Sequence, residues 1–273
     1  MSSEQPRATE MDLSGSDIKI ERAKKHLAEL REEVTSRFHP GSYAVTREVA
    51  EDGLAYTYSV TGAPQVPPEW AAIVGDVLTN LRASLDHLAY RLVELDSGSP
   101  GDRTYFPIVE TRFNRGGTLR IFDKLGHTLS RPDLTEAVEH SQPYTRSSAD
   151  GGPSAHHLSD LDRLVQIDKH RLLLGSAAVL DPEMWWGLPA GVTCTPSFNF
   201  SQLRDGTPVA RFTFSGPPGE HFDPNISVAV VLQDGRRVAP VVEYLDGLIG
   251  WVDVCIFEMI FRPISRGDAP ALV

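Results

Sequence analysis

An α+β fold is the architecture this chain predicts, and three patterns in its 273 residues predict it. Apolar residues recur at three- and four-residue spacings near 17–38, 69–95, 157–174 and 239–260, which is the period of an amphipathic helix. Alternating, β-branched and aromatic runs instead fill Tyr43–Val60 and most of the chain after Gly191. Helices thus come first and last, with strands between them, and this is not the regular alternation of a parallel α/β sheet.

The elements follow in order. Residues 1–15 are polar, rich in Ser, Glu and Asp, and read as a disordered leader to a single domain over 16–273. Within that domain 16–175 is the helical region, and 176–273 is strand-rich with a closing helix. A first helix starts at a Ser16/Asp17 cap, presents Ile20, Ala23, Leu27, Leu30, Val34 and Phe38 on one side, and stops at His39-Pro-Gly41. A β-hairpin, Tyr43–Val49 with Leu54–Val60, turns at Glu51-Asp-Gly53. Pro67-Pro68 opens a long helix, since the first N–H groups of a helix lack partners in any case, and Asp96-Ser-Gly-Ser-Pro100 closes it.

Short helical pieces follow at Leu119–Leu125 and Leu134–Ser141, the second ending at Gln142-Pro-Tyr144. The next helix runs from His157 to Leu174, with Gly175 as its stop. Strands are expected at Val192–Phe200, Val209–Phe214 and Ile226–Leu232, forming an antiparallel sheet. A last helix carries Val241, Leu245, Leu248, Val252, Cys255 and Met259 on one face. Trp185-Trp186 falls in a loop, where it either packs over the core edge or forms a partner surface.

Composition narrows the function classes. A net charge of −11 with no basic domain or tail gives no non-specific affinity for DNA. The two cysteines, Cys194 and Cys255, form no metal-binding or disulfide pattern and suit a reducing cytoplasm. The run Leu245–Phe261 is interrupted by Asp246, Asp253 and Glu258, too charged for a membrane span. No phosphate-cradling glycine loop, serine elbow or HExxH pair is present, so neither a nucleotide cofactor nor a metal is assigned. His156, His157 and Asp160, with His140 upstream, are the residues a metal-dependent hydrolase would use.

The densest chemistry lies in Asn80-Leu-Arg-Ala-Ser-Leu-Asp-His87. At about 100° per residue, Val74, Val77, Leu78, Leu81, Leu85, Leu88 and Leu92 form the core stripe of the long helix, and Asp76, Asn80, His87 and Arg91 lie opposite. Ala72, Gly75, Thr79 and Ala83 form a strip of small residues that admits a second helix on another side. Arg82 and Asp86 flank that strip at i,i+4 spacing. In Ile167-Asp-Lys-His-Arg171, Asp168 falls within the apolar stripe of its helix, where a carboxylate is costly unless paired. Its expected partner is Arg82, His87 or Asn80. One outcome is a buried pair that locks helix packing. The other is a catalytic set of Arg82, His87 and Asp168, supported by Asp76, Asn80, Asp86, Lys169 and His170.

In their order along the chain, Asn80–His87, Phe106-Pro-Ile108, Gln142-Pro-Tyr144 and Ile167–Arg171 resemble the signatures of a family of uncharacterised bacterial proteins frequent in actinobacteria, over about residues 17–175. That resemblance implies kinship without an activity. Arg82 and His87 also resemble the Arg-x4-His pattern of HEPN domains, helical bundles that often act as metal-independent ribonucleases. This implies an RNA substrate and a homodimer, with His87 transferring a proton at a ribose 2′-hydroxyl and Arg82 neutralising phosphate charge. The chain departs from the pattern at Ala83, where the family often has a polar residue. Arg82 and His87 are also about 140° apart on an ideal helix. The competing expectation is a non-catalytic binding or scaffold protein whose polar residues lock its helices.

Overall fold

Proline and glycine punctuation sets where the helices begin and end in the computed structural model, which describes residues 11–97, 99–169, 174–180, 190–196, 203, 205–217, 222, 224, 226–234 and 238–266. The architecture is α+β. Helix α1 (Ser14–Arg37) begins earlier than the Ser16/Asp17 cap, because the Asp12 carboxylate accepts the Ser14 N–H at 2.9 Å and Leu13 is buried. Met11–Leu13 thus lead directly into the helix; the rest of the expected leader, residues 1–10, lies outside the described residues. Ser16 is buried and gives its hydroxyl to the Ser84 carbonyl at 2.9 Å instead of capping its own helix.

Strands β1 (Ala44–Val49) and β2 (Ala55–Thr61) form the expected hairpin, turning through Gly53 at φ 68°. Helix α2 (Glu69–Ser97) follows Pro67-Pro68 and buries its entire predicted stripe from Val74 to Leu92. Helices α3 (Arg120–Leu125), α4 (Pro132–His140) and α5 (His157–Asp168) come next.

Helix α5 corrects the expectation of a helix to Leu174. It ends at Asp168, and Leu174–Leu180 is strand β3, antiparallel to β6 (Ile226–Gln233). The stop assigned to Gly175 is a strand position instead. Val179 alone in Leu174-Gly-Ser-Ala-Ala-Val-Leu180 is a β-branched strand former, so the β6 ladder and not local propensity makes this a strand.

Strands β4 (Val192–Pro196) and β5 (Thr207–Phe214) pair with each other, and β5 pairs with β2. The hairpin is therefore no separate feature: the first sheet runs β1-β2-β5-β4, and a second runs β3-β6-β7, with β7 at Val238–Pro240. Trp185-Trp186 and residues 197–200 lie outside the described residues. Helix α6 (Val241–Val254) leads into a π-helical turn, Cys255–Phe261, and a final helix α7, Arg262–Arg266. The wider π turn rotates the inner face: Cys255, Ile256 and Ile260 are buried, whereas the expected Met259 is only half-buried. Among the described residues, no helix is long and apolar enough to cross a membrane.

The chain divides into two compact units, whose boundaries fall inside α1, α2 and α6. One comprises Met1–Leu27, Ile73–Arg171 and Leu245–Val273, and the other Ala28–Ala72 and Leu172–Tyr244. In the second unit both sheets contribute to one core, in which Tyr58, Phe212, Phe214 and Val228 are buried and Tyr56 meets Phe214 edge-on at 4.9 Å. There too Trp70 is buried, gives its indole N–H to Glu33 and lies 6.1 Å from the Phe38 ring.

The first unit holds nearly all the polar signatures, and its fixed point is Asp96 at the end of α2. This carboxylate, 1% exposed, accepts the Ser130 N–H (2.9 Å), the Ser130 hydroxyl (3.0 Å) and the Arg131 N–H (2.9 Å), and lies 2.7 Å from His127 Nε2. Burial works against its charge, but these donors outweigh burial and hold its pKa down at about 2. A depressed carboxylate stabilises the fold above the ordinary value and loses that contribution as pH falls towards the folded value. Denaturant unfolding of wild type should therefore show about 2 kcal/mol lost between about pH 4 and pH 2. Asp96→Ala should cost about 3 kcal/mol at neutral pH and lack that acid limb.

Candidate functional site

The sequence places Arg82, His87 and Asp168 in one constellation; the described geometry separates them. Arg82 gives Nη2–H to the Phe106 carbonyl at 2.8 Å and lies 3.0 Å from Asp86 Oδ1. Its Nη1 is buried without a hydrogen bond and faces Asp162 at 3.7 Å, an ion pair but not a donor contact. Asp86 Oδ1 in turn accepts the Phe106 N–H at 2.9 Å. The i,i+4 pair thus holds both polar groups of the Phe106 backbone, while the Phe106 ring is fully buried. Burial pushes the Asp86 pKa up, and Arg82 and the Phe106 N–H oppose it.

His87 occupies a different flank of α2. It is exposed, and its ring lies over Gly15 of α1, where an added Cβ would come within 2.8 Å of Nδ1. Asp168 lies against Gly75, the small residue predicted to admit a second helix: a Cβ there would stand 2.6 Å from Oδ2. Helix α5 runs antiparallel along this strip, with Asp168 near Gly75 and Asp162 near Arg82. The expected partners of Asp168 are absent. Among the described residues it makes no hydrogen bond or ion pair, and burial, followed by the Asp76 carboxylate, raises its pKa.

It tolerates this because its helix ends there: Asp168 is half-buried, not in the core. Asp76 is exposed, and Asn80 donates to the Asp76 carbonyl at 2.8 Å. Lys169 is exposed and donates to Gln166 at 3.5 Å, and His170 lies outside the described residues.

Two of the residues considered for a metal, His156 and Asp160, have other occupations. His156 is buried, accepts the Leu158 N–H at Nδ1 (3.2 Å) as the cap of α5, and meets Trp251 edge-on at 4.5 Å. Burial pushes its pKa down to about 4. Asp160 is buried and accepts from Arg163 at 2.8 Å. Among the described residues, no three such side chains are grouped so as to hold a metal ion.

Sequence reasoning missed a cleft of about 840 Å³ in the same unit. One wall is the outer face of α4, with Thr135, Glu136, Glu139 and His140. Phe122 of α3, together with Leu129 and Ser130, forms another; Arg112, Tyr144 and Thr145 complete it. Two buried side chains fix parts of this lining and the chain next to it. Asp96 holds Ser130, and Gln142, buried, accepts the Val109 N–H (3.2 Å) while donating to the Val138 carbonyl (3.1 Å).

Arg112 is set by a turn closed between Phe113 and Leu119 and makes a bidentate pair with Glu139 at 2.7 and 3.2 Å. The Tyr144 hydroxyl donates to Glu139 at 2.9 Å, and burial and that carboxylate push the phenol pKa up. The fragment Gln142-Pro-Tyr144, noted in the sequence as a signature, was the available signal. No spacing rule brings Arg112 to it, because the contact depends on the turn.

With this geometry in place, comparison with known proteins adds no relative: no family model, curated protein or solved structure matches the chain.

The approach of Asp168 to Gly75 is testable by paired substitutions. Gly75→Ala should destabilise wild type by about 1 kcal/mol through overlap with the carboxylate. In an Asp168→Ala background the same change should stabilise by a similar amount, because alanine favours a helix over glycine. Chemical unfolding of the four proteins measures both.

Proposed function

We propose that this chain is a non-catalytic binding protein: a scaffold of helices locked by half-buried polar residues, presenting the cleft beside α4 to a small ligand. One observation carries the reading. Arg82, the group a phosphate-cleaving site would need free, is only 18% exposed and is committed to Asp86, Asp162 and the Phe106 carbonyl. The signature fragments have structural uses in the same arrangement, since Arg82 and Asp86 hold Phe106, and Gln142 holds the chain at Val109. Of the signature fragments, Gln142-Pro-Tyr144 reaches the cleft through Tyr144, and that cleft is a concave, partly apolar space of the size small-molecule sites have. We place the protein in a bacterial cytoplasm, where the free thiols of Cys194 and Cys255 stay reduced.

The competing proposal is the HEPN-like, metal-independent ribonuclease acting as a homodimer. It draws on the exposure of His87, but it requires Arg82 to leave three acidic or carbonyl partners and meet a phosphate.

Incubating purified protein with single-stranded and hairpin RNA in EDTA separates the two. The binding-protein reading predicts no cleavage by wild type. It also predicts that Arg82→Ala costs about 3 kcal/mol of stability, because Asp86 is left without its cation, whereas His87→Ala changes stability by less than about 0.5 kcal/mol. EDTA-resistant cleavage that disappears in folded Arg82→Ala and His87→Ala proteins would establish the nuclease instead.

A further inference from the structure

We propose that the cleft beside α4 selects an organic ammonium ion carried on an apolar or aromatic body. The inference rests on the binding-protein reading and adds the chemical class of the ligand. It starts from an imbalance of charge in the lining. Arg112 and Glu139 neutralise each other through two parallel hydrogen bonds, and Glu139 also accepts the Tyr144 hydroxyl, so both of its oxygens are engaged. Glu136, on the same face of α4, lines the cleft with no hydrogen bond or ion pair among the described residues. An entering ligand therefore meets one carboxylate that no lysine or arginine of the wall offsets, with His140 one turn along α4.

The two signs of ligand charge fare differently there. A cation meets Glu136 directly, in a recess where water competes less than on an open surface. An anion meets an Arg112 whose charge Glu139 already offsets through a bidentate pair, and it still faces Glu136. The remaining lining sets the rest of the ligand. Phe122 and Leu129 offer apolar surface, and Tyr144 adds an aromatic ring of the kind that favours ammonium groups. At about 840 Å³ the space holds a compact amine with one ring or a short chain and excludes nothing of that size.

The test uses two probes alike in size and opposite in charge, phenethylamine and hydrocinnamate, titrated into the full chain at neutral pH and read by calorimetry. Phenethylamine should bind saturably, Glu136→Gln should weaken it by about tenfold or more, and His87→Ala should leave it unchanged. Circular dichroism of each variant confirms that it is folded. Hydrocinnamate binding as tightly as the amine, in competition with it, would overturn the ammonium class while leaving the cleft as a ligand site. Amine binding that is indifferent to Glu136→Gln would put the amine elsewhere and overturn the proposal. If neither probe saturates a folded wild-type protein, the proposal and the cleft-binding reading fall together.

Discussion

In the first unit, the chain just beyond α2 is held by one guanidinium that cannot be solvated freely. Arg82 projects from the flank of α2 into a space bounded by α5 and the chain at Phe106, and there it must find acceptors or destabilise the fold. It finds three. The Phe106 carbonyl accepts a hydrogen bond, Asp86 pairs with the guanidinium at 3.0 Å, and Asp162 supplies charge at 3.7 Å. Because Asp86 also accepts the Phe106 N–H, the cluster fixes the backbone where the chain re-enters the core after α2. A buried ring, a charged pair and a backbone segment become one unit, and none of the three can move without exposing the others.

The same logic recurs at Asp96 and Gln142. Each is a buried polar side chain that satisfies backbone N–H groups from a segment without regular structure. Loops between helices carry backbone groups that no ladder satisfies, and side chains take over that task here. The consequence is a cleft with fixed walls: Ser130 is positioned by Asp96, and the turn bearing Tyr144 follows directly from Gln142. Buried polar side chains at the ends of helices thus hold the lining of the cleft in place.

How much of this was legible in the sequence depends on whether a feature is local. The stripe Val74–Leu92 was readable because helical period and burial coincide, and every member is buried. Of the strip of small residues, Gly75 is buried and closely approached by Asp168 of α5, whereas Ala72 and Thr79 are exposed. The end of α5 was not readable. Ile167–Leu174 has a helical pattern, and only pairing of Leu174–Leu180 with β6 makes that later stretch a strand. For the same reason the hairpin could be drawn but not joined to β5.

At the candidate site, the residue types were readable and their partners were not. Asp168 was expected to need a partner, Arg82, His87 or Asn80, because it lies in an apolar stripe. Its position at the last residue of α5 leaves it half-buried, and that removes the need. Arg82 pairs instead with its own helix neighbour and with a backbone carbonyl, which no side-chain motif encodes. The measurement that bears most directly on this account is amide hydrogen exchange at Phe106, in wild type and in Asp86→Ala. The account predicts that the wild-type Phe106 N–H exchanges only as slowly as global unfolding allows, and that Asp86→Ala opens it locally. Fast exchange at Phe106 in wild type, or protection unchanged by Asp86→Ala, would contradict it.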